Sequence, residues 1–374
     1  MRGVEGDEVI SPCSILCDIL IQPMTKGKIA VALSGGTDSS VAALLLKEAG
    51  YEVMGIYILC LWNSLDGYRH QAEQVCHILG IPFYVLDLQK EFEHYVINYF
   101  CQEYGRGRTP NPCIVCNQYV KFGLLLDKAL SLGVDYLATG HYARIEKSDD
   151  GYHLLKAGDT SKDQSYFLYT LNQRQLGYLL FPLGSHTKAE VRQIAKQKGL
   201  PTAIKSSQDL CFISQKNYHA FLSQRFSSMP GDVVDAQGTI LGHHQGIAFY
   251  TIGQRHGLGF ASDKPLYVAK IDPQSNKIVL GSEGELYSQK ATAKNLNWVA
   301  GDLPSESIAI TAKIRYKSRE AEATLFSTCH CEQGEAIYDI CFSQPQWAVT
   351  PGQSIVFYKG DEVLGGGIIE STKY

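Results

Sequence analysis

Two groups of residues in this chain have the types and spacing to do chemistry. The first is Ser34-Gly35-Gly36-Thr37-Asp38-Ser39. Its glycines let backbone approach a phosphate, and the free amides at a helix start favour an anion. Ser34 and Ser39 add hydroxyl donors. The Gly-Lys-Ser/Thr ending of a Walker loop is missing. The second group is cysteine. One segment is Gly107-Arg108-Thr109-Pro110-Asn111-Pro112-Cys113-Ile114-Val115-Cys116-Asn117, read as a rigid, irregular loop because two prolines and a glycine interrupt it. The other is Ser206-Ser207-Gln208-Asp209-Leu210-Cys211-Phe212-Ile213. Cys113 and Cys116 have the spacing of a zinc site, an iron–sulfur cluster or a dithiol redox pair. A structural zinc needs two more ligands, and the other tight pair, Cys329-x-Cys331, is far along the chain. A catalytic thiol is therefore preferred to a metal. Arg106, Arg108 and Lys121 surround the first segment, and positive charge favours thiolate. Cys13, Cys17, Cys60, Cys76, Cys101, Cys329, Cys331 and Cys341 read as packing residues.

These residues need elements to hold them. An isolated Gly-Gly pair is an ordinary helix-capping turn. Here residues 28–33, Lys-Ile-Ala-Val-Ala-Leu, form a buried-strand run before the loop. Residues 40–49 read as the helix after it, stopped by Gly50. A strand over 52–59, a helix over 71–79 and a strand over 83–88 follow, and 137–141 reads as a further strand end. This alternation predicts βαβ units and a parallel sheet. Thr187 and Glu190 have capping-box spacing for one more helix, ended by Gly199 and Pro201. After about residue 205, short alternating segments and many glycines take over, as at 308–316, 337–342 and 354–358. That is the pattern of a small antiparallel barrel or sandwich. The expected division is an extension over 1–23, a catalytic domain over 24–205, a linking domain over 206–285 and a β-domain over 286–374.

Composition limits the function class. The 374 residues are 45% hydrophobic and 19% charged, as in a soluble globular protein. No apolar stretch approaches a membrane span. A formal charge of −4 argues against a wholly basic nucleic-acid binder and leaves room for local basic patches. Lys188, Arg192 and Lys196 fall on one helical face. Lys313, Arg315, Lys317 and Arg319 fall on one face of an alternating strand. Eleven cysteines in so large a chain fit a reducing cytoplasm better than a secreted disulfide scaffold.

The loop at 34–39 resembles the PP-loop of ATP pyrophosphatases, which cleave ATP between the α and β phosphates and adenylate a substrate oxygen. The chain as a whole resembles the tRNA 2-thiouridylase family. The resemblance rests on Ser-Gly-Gly-x-Asp-Ser-Ser at 34–40, Gly-Arg-Thr-Pro-Asn-Pro-x-x-x-Cys-Asn at 107–117 and Ala-Thr-Gly-His-Tyr at 138–142. Lys-Asp-Gln-Ser-Tyr-Phe-Leu at 162–168, Cys-Phe-Ile at 211–213, Gly-Gln-Arg-x-Gly-Leu-Gly at 253–259 and Thr-Pro-Gly-Gln-Ser at 350–354 complete it. It implies an α/β fold: a parallel-sheet PP-loop domain, a small central domain and a C-terminal antiparallel β-barrel. It implies ATP at Ala32, Leu33, Ser34, Gly35, Gly36, Thr37, Asp38, Ser39, Ile58 and Gly140, with Asp38 helping to hold Mg²⁺. Asn111, Pro112 and Cys113 would approach the target base, although some members carry an acidic residue at the position of Cys113. His141, Lys162, Asp163, Gln164, Arg315, Tyr316 and Gln353 would contact tRNA. Cys116 would be the nucleophile and Cys211 the persulfide carrier, ending as a Cys116–Cys211 disulfide. A sulfur-relay protein or cysteine desulfurase would load Cys211, with no membrane involved. The alternatives are another adenylating PP-loop enzyme, which needs neither the cysteines nor a barrel, and a non-catalytic RNA binder, which needs no intact Ser34, Asp38 and Ser39. Residues 1–23 precede the first patterned strand. A chain beginning at Met24 should fold and thiolate tRNA normally, and a large loss of soluble yield would show that the extension packs on the core.

Overall fold

The computed structural model describes residues 27–61, 66–201, 210–213, 218–227, 229–258, 265–302, 306–332 and 335–373. The extension 1–23, Ser206 to Asp209 and Gly259 lie outside them. Strand β1 (Lys28–Ala32) runs parallel to β2 (Glu52–Leu59), which pairs with β3 (Phe83–Asp87). On the other side β1 pairs with β4 (Tyr136–Ala138). Ile29, Ala30 and Val31 have no exposed surface, as a parallel strand covered on both faces requires. Helix α1 (Thr37–Glu48) follows β1, and α2 (Asp66–Leu79) follows β2. α1 starts three residues earlier than its apolar pattern, because the polar loop residues themselves wind into its first turn. Its end is as read: the Gly50 amide reaches the Lys47 carbonyl.

Two long helices come next. One covers residues 89–105 with a π-helical stretch at Glu93–Ile97. The other covers 112–131, with π-winding over Cys116–Leu125. The irregular loop read at 107–117 is thus shorter. Pro112 stands in the first turn, where a missing N–H costs nothing, and starts the helix there. Cys113 and Cys116 lie on that helix.

β5 (Arg144–Ser148) and β6 (Gly151–Leu155) form a hairpin, and β7 (Leu179–Leu180) completes the parallel sheet in the order β3-β2-β1-β4-β7. The last helix of this region, Lys188–Gln197, carries the predicted reciprocal Thr187–Glu190 capping box. β8 (Gly231–Val234), β9 (Ile240–His244), β10 (Tyr267–Asp272) and β11 (Lys277–Gly281) make a four-stranded sheet. β12 (Tyr287–Trp298), β13 (Ile308–Lys313), β14 (Ala321–Glu332), β15 (Glu335–Trp347), β16 (Ser354–Lys359) and β17 (Glu362–Lys373) run in the order β12-β15-β14-β13-β16-β17. β12 pairs with β17, which closes an antiparallel barrel. Its core alternates small Ala291, Ala293, Ala312 and Ala323 with large Phe342 and Phe357. Among the described residues no helix is long and apolar enough to cross a membrane.

One expectation fails here. Lys313, Arg315, Lys317 and Arg319 do not share a strand face, because β13 ends at Lys313. The chain then turns, with the Ser318 amide and hydroxyl both donating to the Arg315 carbonyl.

The β5–β6 hairpin is stitched to the barrel. Glu362 of β17 pairs with Leu155. His153 Nδ1 lies 2.6 Å from Glu362 Oε1, and its Nε2 lies 2.7 Å from the Ser148 hydroxyl and 3.1 Å from Asp150 Oδ1. Bonding to Glu362 and then Asp150 raises the histidine above its ordinary value. A raised folded-state value means this stitch is fully present below the unfolded histidine value, about 6.5. It is lost as pH rises through the folded one. Melting of the native chain and of His153→Gln, compared from pH 5.5 to 8.5, should show a gap that closes as pH rises. A gap independent of pH would mean that the imidazolium does not carry the contact.

Candidate active site

The loop between β1 and α1 is pre-shaped. Ser39 Oγ accepts from the Ser34 amide at 3.2 Å and donates to the Gly36 carbonyl at 3.1 Å, while Ser34 Oγ accepts from the Gly36 amide. Gly35 has φ +77°, and a Cβ there would stand 2.3 Å from the Tyr68 carbonyl oxygen. Ala32 ends β1, Leu33 follows it into the loop, and Ile58 lies in the neighbouring strand β2. Gly140 presses onto it, since a Cβ at 140 would meet the Ser39 amide nitrogen at 2.8 Å. The first turn of α1 points its amides and the positive end of its dipole into this space.

Asp38 has partners that spacing did not reveal. Its Oδ1 accepts from the Tyr142 hydroxyl at 2.9 Å and pairs with Lys188 Nζ at 2.5 Å. Lys188, expected on an RNA-facing stripe, is therefore turned to the loop. Its backbone amide is anchored by Asp159 at 3.0 Å. Thr187 had marked a helix start, but no local signal said that the next residue crosses to Asp38. A single carboxylate whose Oδ2 has no partner among the described residues suits Mg²⁺, which takes one or two carboxylates, waters and substrate phosphates. Among the described residues, no group of three or more His, Cys, Asp or Glu is placed to hold a metal ion.

His141 follows Gly140 and leads towards the thiols. Its Nδ1 sits 2.7 Å from Thr139 Oγ1, and its ring packs between Phe122 and Phe181. Burial, helped by the Lys121 charge, holds it well below the ordinary histidine range, so it is neutral. Phe122 belongs to the helix that begins at Pro112. Cys113 is exposed on that helix and Cys116 is half-buried. Cys211 comes to the same place: its thiol feels Cys116 and Cys113 electrostatically. Cys60, at the end of β2 and read as packing, packs in a cluster with Cys116 and Phe212.

The expectation that local cations lower these thiols is corrected. Desolvation pushes Cys113 up to about 11 and Cys211 up to about 12, and it raises Cys116 as well. Arg108 is occupied elsewhere, its Nε on Glu103 at 2.7 Å and its Nη1 on Glu370 at 2.9 Å. Arg106 pairs with Glu103. Lys121 alone lowers all three thiols. The seven described cysteines whose state is defined, Cys116 and Cys211 included, are free thiols.

The barrel supports the loop at 107–111. The Thr109 amide donates to the Pro351 carbonyl, and Gln353 Nε2 donates to the Thr109 carbonyl at 2.9 Å and to the Pro110 carbonyl at 3.4 Å. Tyr166, whose hydroxyl donates to the Ser354 carbonyl, also hydrogen-bonds Asn111. Of the run at 162–164, Asp163 is buried and accepts from Ala157 and Ser165, and Gln164 accepts from the Tyr142 amide. Lys162 is the one whose side chain has no such internal role. Arg315 lies over Trp347 at 5.1 Å and donates to its carbonyl, and Tyr316 packs on Phe167 at 4.5 Å.

Three family models match consecutive stretches: the tRNA methyl transferase HUP domain over residues 27–215, the tRNA methyl transferase PRC-barrel domain over 219–282 and the aminomethyltransferase β-barrel domain over 288–369. The tRNA-specific 2-thiouridylase MnmA of Acetivibrio thermocellus is 47% identical over 365 residues, 93% of this chain and 100% of that protein. MnmA 1 of Syntrophus aciditrophicus is 47% identical over 366 residues, 94% of this chain and 95% of that protein. The chain belongs to the tRNA-specific 2-thiouridylase family. In this family member the loop bearing Asn111 is held between the helix that begins at Pro112 and the barrel.

That seating depends on Gly352. Its φ is +90°, and a Cβ there would stand 2.9 Å from the Thr109 amide nitrogen and 3.0 Å from Arg108 Cβ. Gly352→Ala should lower stability by about 1–3 kcal/mol, from overpacking on backbone plus the left-handed conformation. Urea unfolding measures the loss, and protease cleavage within 107–111 should quicken. An unchanged midpoint would show that the barrel does not seat this loop.

Proposed function

We propose that this protein is an ATP-dependent tRNA uridine 2-sulfurtransferase that converts the wobble uridine to 2-thiouridine, releasing AMP and pyrophosphate. The observation that carries the reading is continuity. Asp38 and Ser39 touch Gly140, His141 follows, His141 packs on Phe122, and Phe122 shares its helix with Cys116. A site built to receive a polyphosphate thus runs directly into a site rich in thiols. Methyl transfer, which two family-model descriptions name, would leave both features without a task.

The chemistry follows from the ends of this channel. The uridine 2-oxygen attacks the α-phosphorus of ATP, forming an adenylate and expelling pyrophosphate. Loop amides, the Ser34 and Ser39 hydroxyls and Lys188 face the phosphate charge. Mg²⁺ carried with ATP would sit on Asp38 and neutralise charge on the phosphate oxygens. Sulfur arrives as a persulfide on Cys211, loaded by a relay protein or a cysteine desulfurase. Its outer sulfur replaces the adenylated oxygen at carbon 2, and AMP leaves. Cys116 thiolate attacks the inner sulfur of Cys211, either after that transfer or before it to release hydrosulfide. Both orders end in a Cys116–Cys211 disulfide, which an external thiol reductant must reopen. The uridine has to leave its stack to reach the site. Asn111, Pro112 and Cys113 would approach the base, and Lys162, Arg315, Tyr316 and Gln353 would contact the tRNA. A reducing cytoplasm suits the free thiols.

Asp38→Ala should abolish ATP/pyrophosphate exchange while leaving tRNA affinity nearly native; normal exchange would remove Asp38 from the adenylation step. Cys211→Ser should neither accept persulfide nor thiolate tRNA. Cys116→Ser should lose thiolation yet still accept persulfide at Cys211, and Cys113→Ser should be milder. Intact-protein mass after sulfur loading, and the disulfide found after one turnover, read these outcomes. A Cys113–Cys116 bridge with an active Cys211→Ser variant would replace this assignment by a Cys-x-x-Cys redox pair.

A further inference from the structure

The winding of the catalytic helix has a chemical consequence. Cys116 opens ten consecutive π-helical residues, Cys116–Leu125. π-Winding is mostly confined to single turns and favours functional sites. Its i→i+5 repeat brings Lys121 round above Cys116, whereas five α-helical steps would leave it about 140° away. The segment is fixed on its other sides. Val120, Phe122 and Leu125 are buried, and Asn117 donates its amide to the Phe167 carbonyl at 3.0 Å. Lys121 is half-buried and has no carboxylate partner among the described residues.

The groups that face it come from several elements. Cys113 and Cys116 are on its own helix, Cys60 ends β2, and His141 follows β4. Cys211 is placed by Phe212, which packs edge-on against Phe92 and Phe100. The Lys121 charge acts on all four thiols and on His141. Asp87 of β3 acts on Cys60. Arg106 and Arg108, the other cations nearby in sequence, are engaged by Glu103 and Glu370.

We propose that Lys121 is the positioning residue of the sulfur-transfer step: its ammonium lets a thiolate form at Cys116 in a desolvated site and keeps that thiolate facing the Cys211 persulfide. When Cys116 attacks, the bond between the inner and outer persulfide sulfurs breaks and the Cys116–Cys211 bond forms. The outer sulfur departs with the bonding electron pair, and Lys121 keeps its proton throughout. The proposal rests on the thiouridylase reading for the role of the attacking thiol. The charge effect can be measured without it.

The test is iodoacetamide labelling of the full chain from pH 6 to 10, with Cys116 followed by peptide mass spectrometry. Lys121→Met keeps the stem and removes the charge. Labelling of Cys116 near neutral pH should fall about tenfold, equivalent to one pKa unit, and Lys121→Arg should restore most of it. kcat for thiolation should fall in parallel, with KM for tRNA unchanged. Should Lys121→Met melt abnormally, Lys121→Gln takes its place in the same comparison. An unchanged Cys116 profile in a folded, uncharged variant overturns the proposal, as does a loss confined to tRNA affinity, which would make Lys121 an RNA ligand. Labelling needs neither ATP nor tRNA. A native chain that fails to thiolate therefore removes the proposed function alone, and an unshifted profile removes this inference alone.

Discussion

Arg108 holds together parts of the chain that are far apart in sequence. Its guanidinium is divided between Glu103, near the end of the helix over 89–105, and Glu370 on the last barrel strand, and Nη2 also donates to the Ile369 carbonyl. Arg108 and Glu103 are largely buried, so removing any one of the three groups leaves charge without solvent. Breaking such a pair costs about 3–5 kcal/mol. The planar fork fixes direction as well as distance. Everything beyond Arg108 inherits that geometry: the Thr109–Pro351 contact, the Gln353 brace and the start of the helix at Pro112. The barrel is therefore half of the scaffold of the loop at 107–111, and any RNA surface on it is an addition to that role.

The thiols show the cost of building on such a scaffold. Partial desolvation around the thiols disfavours their charged form, most directly at the half-buried Cys116. Cys113, Cys116 and Cys211 all stand above the ordinary thiol range for this reason. Protonated thiols are poor nucleophiles and poor targets for oxidants. The resting site is therefore quiet, and its reactivity depends on a charge brought to the right face of one helix.

Much of this was legible in the sequence. The run at 28–33 and Gly50 announced the first βα unit, Thr187 and Glu190 announced a helix start, and the short alternating segments announced the barrel. The two long helices at 89–105 and 112–131 were less visible. Pro110 and Pro112 read as loop punctuation, although one of them begins a helix. The basic stripe at 313–319 followed a period of two beyond a strand that a turn at Ser318 had already ended. The partners of Asp38 could not be read at all. Tyr142 and Lys188 lie far from it in sequence, and only the packing of their elements brings them to one oxygen. The pairing of Cys116 with Cys211 was implied by the resemblance, while spacing left Cys113 open as a partner.

In the proposed reaction negative charge develops twice, once on pyrophosphate at the loop end of the site and once on sulfur at the thiol end. Each end has its own lysine. Lys188 is held against Asp38 at the loop end. Lys121 has no such carboxylate, so its field is already directed at the thiols. A paired lysine at the thiol end would spend its charge on its partner and leave the raised Cys116 thiol without the cation that lowers it, and an unpaired one at the phosphate end would leave Asp38 as an uncompensated anion facing an incoming polyphosphate. His141, neutral between the two ends, separates them without adding charge to either.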